Sequence, residues 1–95
     1  MPAPVSAAAY RIVQESLTNV ARHGVGVTRV EVRVTRAPDG IRVEVRDDGR
    51  VAPFEPGRGL LGMRERVEQL GGVFQTATEG GFLVTAELPI ERSPA

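Results

Sequence analysis

Apolar residues recur along this chain in two rhythms. From Val5 to about Arg22, the residues Ala9, Tyr10, Val13, Leu17, Val20 and Ala21 share one arc of a 3.6-residue period, which predicts an amphipathic helix. Ser6, before a run of alanines, is the candidate cap, and Gly24 and Gly26 end the helix because glycine enters left-handed conformations cheaply. Thr28 to Arg36 then alternates with period two: Val30, Val32 and Val34 point one way and Arg29, Glu31, Arg33 and Thr35 the other. After the turn Pro38-Asp39-Gly40, Ile41, Val43 and Val45 face inward and Arg42, Glu44 and Arg46 outward, so the two runs predict a hairpin with one wet face.

Residues 47 to 59 are rich in glycine and proline and read as a loop. A second helix is predicted from Leu60 to Leu70, with Leu60, Leu61, Met63, Val67 and Leu70 as its apolar positions and Gly71-Gly72 as its stop. Its charged run, Arg64-Glu65-Arg66, reads as a solvated face. Val73 to Thr78 and Phe82 to Leu88, joined across Gly80-Gly81, predict a second hairpin. The order helix, hairpin, loop, helix, hairpin gives an α+β fold: a two-layer sandwich with helices on one face of a mostly antiparallel sheet. Residues 1–95 form one small domain, with a core over about 5–90 and a frayed tail at 91–95.

Composition narrows the function classes. The chain has no cysteine, which excludes disulfides and thiolate metal sites, and its single histidine argues against zinc. Twelve basic and 12 acidic residues cancel; every basic residue is arginine, and the charges alternate without forming a basic stripe. With aromatic residues at 4 %, neither a phosphate-tracking groove nor a base-stacking platform for nucleic acid is indicated. No apolar run approaches the roughly 20 residues of a membrane span, and no signal peptide is visible, so a cytoplasmic setting is expected.

The polar arc of the first helix carries the candidate chemistry. Glu15 and Asn19 lie one turn apart, with Arg22 and His23 a turn further on. A carboxylate, an amide oxygen and two cationic groups on one face suit a metal–polyphosphate, because hard oxygens hold Mg²⁺ and cations meet phosphate oxygens. Asp47, at a strand end before Asp48-Gly49, can accept a hydrogen bond from an amino group on a flat heterocycle, although such a triplet on its own also makes an ordinary turn. Gly57-Arg58-Gly59 stands directly before the second helix, where glycine amides and the helix terminus form an anion-binding concavity.

Taken in order, Glu15-x-x-x-Asn19-x-x-Arg22-His23, Asp47-x-Gly49 and Gly57-x-Gly59-Leu60 resemble the catalytic ATP-binding domain of sensor histidine kinases, in the gyrase–Hsp90–histidine kinase–MutL superfamily. The stretches from Tyr10 to Asn19 and from Gly59 to Val67 look like the subfamily that pairs with NarL-type response regulators. The resemblance runs from about Val5 to about Ile90. It implies the Bergerat α/β sandwich, N-terminally truncated because the chain opens at the first motif helix, without the strands that usually precede it.

The resemblance also implies ATP and Mg²⁺ as cofactors. Asn19 would ligate the metal, and Glu15 would act as the catalytic residue by polarising a water or the incoming nucleophile. Arg22 and His23 would contact phosphate or ribose. Asp47 would receive the adenine amino group, with Gly49 letting the base approach. Gly57, Arg58, Gly59 and Leu60 would cradle phosphates and hinge a lid over about 51–56, where Phe54 covers the base or fills the core. The partner implied is the His-bearing dimerisation domain of the same kinase, and through it a response regulator, with neither nucleic acid nor direct membrane contact. Such a piece binds ATP but is not expected to autophosphorylate alone; it would be cytoplasmic, also as the cytoplasmic part of a membrane-bound sensor. An anti-sigma-factor-kinase-like or ATPase relative, and a non-catalytic docking module, are the other readings compatible with this fold. The sequence departs from the family pattern at Val51, where a glycine is usual: either the loop runs differently there or nucleotide affinity is lowered.

Overall fold

In the computed structural model the two rhythms become two layers. It describes residues 3–51, 58–78 and 80–90, with the backbone alone for His23, Val51, Arg58 and Gly59. Helix α1 spans Ala3–His23 and runs straight into a short strand, β1, at Gly24–Val25. Strands β2 (Val30–Ala37) and β3 (Gly40–Asp47) form the first hairpin, followed by β4 at Arg50–Val51. Helix α2 covers Arg58–Gln69, and β5 (Val73–Ala77) and β6 (Leu83–Pro89) complete the chain. The main sheet has the order β2-β3-β6-β5, antiparallel throughout, and β1 and β4 pair separately.

The expected hairpin register holds: Val32 faces Val45 and Val34 faces Val43 across β2 and β3. β6 lies on the far side of β3, with Ala86 opposite Val43 and Val84 opposite Val45. The helices cover this valine-rich face. Val5, Ala8 and Ile12 of α1 and Met63 and Val67 of α2 are buried against Ile41, Val43, Val45, Phe74, Val84, Ala86 and Leu88. Fully burying a side chain of the size of Ile12 contributes about 1.5–3 kcal/mol.

The helix-stop signal at Gly71-Gly72 works as its chemistry requires. Gly71 has φ +82°, its N–H donates to the Glu68 carbonyl at 2.9 Å, and the Gly72 N–H donates to the Val67 carbonyl at 2.9 Å. This is the Schellman pattern, which satisfies the last carbonyls of the helix.

Several expectations need correction. The buried stripe of α1 is rotated from the expected arc: Val5, Ala8, Ile12 and Ser16 face the sheet, while Tyr10, Leu17 and Ala21 are exposed. The helix begins at Ala3, so Ser6 lies within it rather than capping it, and the buried face is the one that carries the small residues Ala8 and Ser16. Val32 and Val34 point to the helix-bearing face as expected but stay exposed, because β2 is the edge strand and neither helix reaches over it. Leu61 is likewise exposed on α2. Finally, the segment read as a loop from residue 47 contains β4, and Arg64 is not simply solvated: its guanidinium lies 5.3 Å from the Phe74 ring centroid and donates to the Phe74 carbonyl at 3.2 Å.

Candidate active site

The last turns of α1 and the end of β3 meet through the smallest ladder in the fold. Gly24 pairs with Val51 and Val25 with Arg50, so the residues following α1 are clamped to those following Asp47. The ladder also resolves the Val51 departure. Val51 lies in an extended strand, where a β-branched residue is comfortable, and no non-glycine residue described has positive φ. The loop therefore runs differently from a glycine turn at that position.

Asp47 is buried, 6 % exposed, at the C-terminal end of β3. Its Oδ1 accepts the Gly49 N–H at 2.9 Å and, more weakly, the Phe82 N–H at 3.4 Å. Its main chain extends the pairing with β6, its N–H donating to the Phe82 carbonyl at 3.0 Å. Gly81, φ +134°, lies against this strand end so closely that a Cβ there would sit 2.0 Å from the Asp47 carbonyl oxygen. The backbone thus fixes the carboxylate through Oδ1, and Oδ2 takes no hydrogen bond from a described residue.

Gly49 is needed for space rather than for a left-handed turn. A Cβ there would lie 2.4 Å from a Val27 methyl carbon and 2.9 Å from the Val25 carbonyl oxygen. Asp48 has a different task. Its Oδ1 accepts the N–H groups of Thr28 at 2.9 Å and Arg29 at 3.0 Å, and its Oδ2 accepts the Thr28 hydroxyl. The Thr28 hydroxyl first, then the two backbone donors, lower its pKa to about 2. Asp48 is therefore a pin between the 27–29 segment and the β3 end.

On α1, Glu15 and Asn19 are half-buried at the margin of the core, and Arg22 is exposed one turn beyond. His23 is the final helical residue. The Ser16 hydroxyl points at the Met63 sulfur at 3.9 Å, which sets the first half of α2 beside the Glu15–Asn19 turn. Helix α2 starts two residues earlier than expected, so Arg58 and Gly59 lie in its first turn and not before it, and Leu60 packs against the core. Gly57, Phe54 and the remainder of the expected lid lie outside the described residues, as does the tail at 91–95.

Glu15 and Asn19 supply two hard oxygen donors, and the described residues contain no group of three or more His, Cys, Asp or Glu side chains that could hold a metal. That donor set fits Mg²⁺, which keeps waters and takes most of its ligands from substrate phosphates rather than from a protein cage.

Sequence reasoning missed the contribution of the second hairpin. Gly81 and Phe82 contact Asp47 through pairing across 35 residues of sequence, and only the β3–β6 register reveals it. The signal available was the glycine pair itself, which marks a close backbone approach as well as a turn.

Helices α1 and α2 on one face of an antiparallel sheet make a two-layer α+β sandwich. The family model for histidine kinase-, DNA gyrase B- and HSP90-like ATPases matches residues 5–92, and the chain belongs to that family. It is 37 % identical over 83 residues to the sensor histidine kinase LnrJ of Bacillus subtilis (strain 168), covering 84 % of this chain and 20 % of LnrJ. It is 35 % identical over 81 residues to the sensor histidine kinase DesK of the same organism, covering 81 % of this chain and 22 % of DesK. The chain thus spans about a fifth of the length of these curated relatives. The histidine kinase domain of the Erythrobacter litoralis EL346 blue-light activated histidine kinase superposes with a TM-score of 0.77 at 28 % identity, covering 94 % of this chain and 46 % of that one. The α+β fold and the kinship with sensor histidine kinases expected from the motifs both hold. Among the described residues, no helix is long and apolar enough to cross a membrane.

Proposed function

We propose that this chain binds Mg·ATP and presents the γ-phosphate to a histidine on a separate dimerisation domain, from which a response regulator of the NarL type is served. The observation that carries the reading is the placement of Asp47. It is buried at a strand end, held through Oδ1 by the Gly49 and Phe82 amides, and clamped beside the end of α1 by the β1–β4 ladder. A carboxylate fixed in this way meets a planar amino donor without reorganising, as a preorganised acceptor should.

The remaining side chains then divide the work. Asp47 accepts the adenine amino hydrogen through Oδ2. Asn19 and Glu15 offer oxygens toward the metal, and Glu15 orients the attacking group. Arg22 and His23, at the C-terminal end of α1, meet phosphate or ribose oxygens, and the free N–H groups that open α2 from Arg58 receive phosphate. Bound Mg²⁺ would neutralise phosphate charge, and the protein's share of phosphoryl transfer is mainly positioning. The phosphoacceptor belongs to another domain, because His23, the sole histidine, lies inside the nucleotide motif.

Calorimetric titration with ADP and ATP, with and without Mg²⁺, tests this reading. Binding that strengthens with the metal is expected. Absence of heat at millimolar nucleotide would overturn it.

A further inference from the structure

Asp48, between Asp47 and Gly49, bonds back to the segment that follows α1. Its carboxylate takes the N–H groups of Thr28 and Arg29 at 2.9 and 3.0 Å together with the Thr28 hydroxyl, and its own N–H donates to the Arg29 carbonyl at 3.3 Å. We propose that Thr28 is a positioning residue for nucleotide binding: through Asp48 it sets the spacing between the end of α1, which meets phosphate, and the end of β3, which meets adenine. This role rests on the nucleotide reading above, and it falls to a residue outside the three motifs.

The pin sits where that spacing is decided. Thr28 follows the last helical residue, His23, by way of β1, and Asp48 is the immediate neighbour of Asp47. Asp47 itself is held without the pin, by the Gly49 and Phe82 amides and by its main-chain bond to Phe82. The β1–β4 ladder ties the same two stretches, but it is only two residues long on each side. Val27 approaches Gly49 so closely that a Cβ on the glycine would lie 2.4 Å from the valine methyl carbon, so the stretches are in contact and their separation is defined. Thr28 and Asp48 are both exposed, so they hold this separation by hydrogen bonds and not by core packing. Those bonds are charge-assisted, and with the Thr28 hydroxyl foremost they keep the Asp48 carboxyl at about 2. A ligand that touches one stretch alone is indifferent to the spacing between them. One that spans both binds more weakly when the spacing wanders, because ordering the site then opposes association.

Thr28→Val keeps the shape and the backbone N–H of the residue and removes the hydroxyl, whereas Thr28→Ser keeps the hydroxyl. Calorimetry with Mg·ADP, and chemical-shift titration with adenine, which is too small to span the site, test the proposal on the 95-residue chain. Thr28→Val should weaken Mg·ADP binding about three- to tenfold and leave adenine affinity unchanged, and Thr28→Ser should bind Mg·ADP within about twofold of wild type. Circular dichroism confirms that each variant is folded; if Thr28→Val does not fold, Thr28→Ala carries the same comparison. Equal Mg·ADP affinity in wild type and the hydroxyl-free variant overturns the proposal and leaves the nucleotide reading standing. An equal loss toward adenine and Mg·ADP also overturns it, because the hydroxyl then has a merely structural role. A wild-type chain that binds neither ligand overturns the nucleotide reading, and the positioning role with it.

Discussion

Asp47 Oδ1 accepts the Gly49 N–H at 2.9 Å, two residues along the same turn. One oxygen of the carboxylate is thereby committed to holding its own loop, and the other is left for an outside donor. Asp47→Asn keeps an oxygen for Gly49 but loses the charge. Its unfolding free energy should stay within about 1 kcal/mol of wild type, whereas nucleotide affinity should fall about 10- to 100-fold, as expected for a hydrogen bond to a charged group. Thermal denaturation paired with calorimetry separates the two effects. Equal nucleotide affinity in the variant would remove Asp47 from the site.

Gly81 makes the opposite kind of prediction. Its φ of +134° and the 2.0 Å approach of a hypothetical Cβ to the Asp47 carbonyl oxygen leave no room for a side chain. Gly81→Ala should cost about 1–3 kcal/mol from backbone strain alone, with overlap adding to it. Urea denaturation reads the stability. The same variant should bind nucleotide less well even where it is folded, because the displaced backbone carries the Asp47 carboxylate.

Asp48 gives a pH signature. Its pKa is lowered to about 2, chiefly by the Thr28 hydroxyl, from an ordinary value of 3.8. Because the folded-state pKa is the lower one, the stabilisation is complete above the unfolded value and is lost as pH falls from about 4 toward about 2. Asp48→Ala should flatten that part of the stability–pH curve. An unchanged curve between these limits would show that the Thr28–Asp48 pin does not contribute.

Ser16 should be replaceable with gain. It is buried at 2 % exposure, and its hydroxyl faces only the Met63 sulfur, a weak acceptor, at 3.9 Å. Ser16→Ala removes a poorly satisfied polar group and improves helix propensity, so the melting temperature should rise by an amount equivalent to about 0.5 kcal/mol. A fall in melting temperature would assign the hydroxyl a structural role that its geometry does not suggest.

These predictions rest on features of unequal legibility. The β2–β3 hairpin, both helices and the Gly71 stop could be read because each depends on local periodicity or on local glycine chemistry. The phase of α1 could not. Tyr10 and Leu17 are larger apolar residues than Ala8 and Ser16, yet the sheet takes the smaller pair, because close approach of helix and sheet outweighs side-chain hydrophobicity there. The exposure of Val32 and Val34 depends on which strand ends up at the edge, a property of topology that alternation does not encode. In the site, motif spacing singled out Asp47 and Asn19. The contacts of Gly81 and Phe82 with Asp47, and the pairing of Val51 with Gly24, needed long-range register.

The clamp between Gly24–Val25 and Arg50–Val51 is only two residues long on each side. So brief a pairing opens at far less free energy than the whole molecule needs to unfold, and its amides should exchange with solvent by local opening. Each opening would uncouple the C-terminal end of α1 from the loop after Asp47 while the valine-rich interior stays intact. Warming should therefore disperse the proposed nucleotide site well before it melts the domain, and added nucleotide should slow deuterium uptake first at Gly24 and Val25.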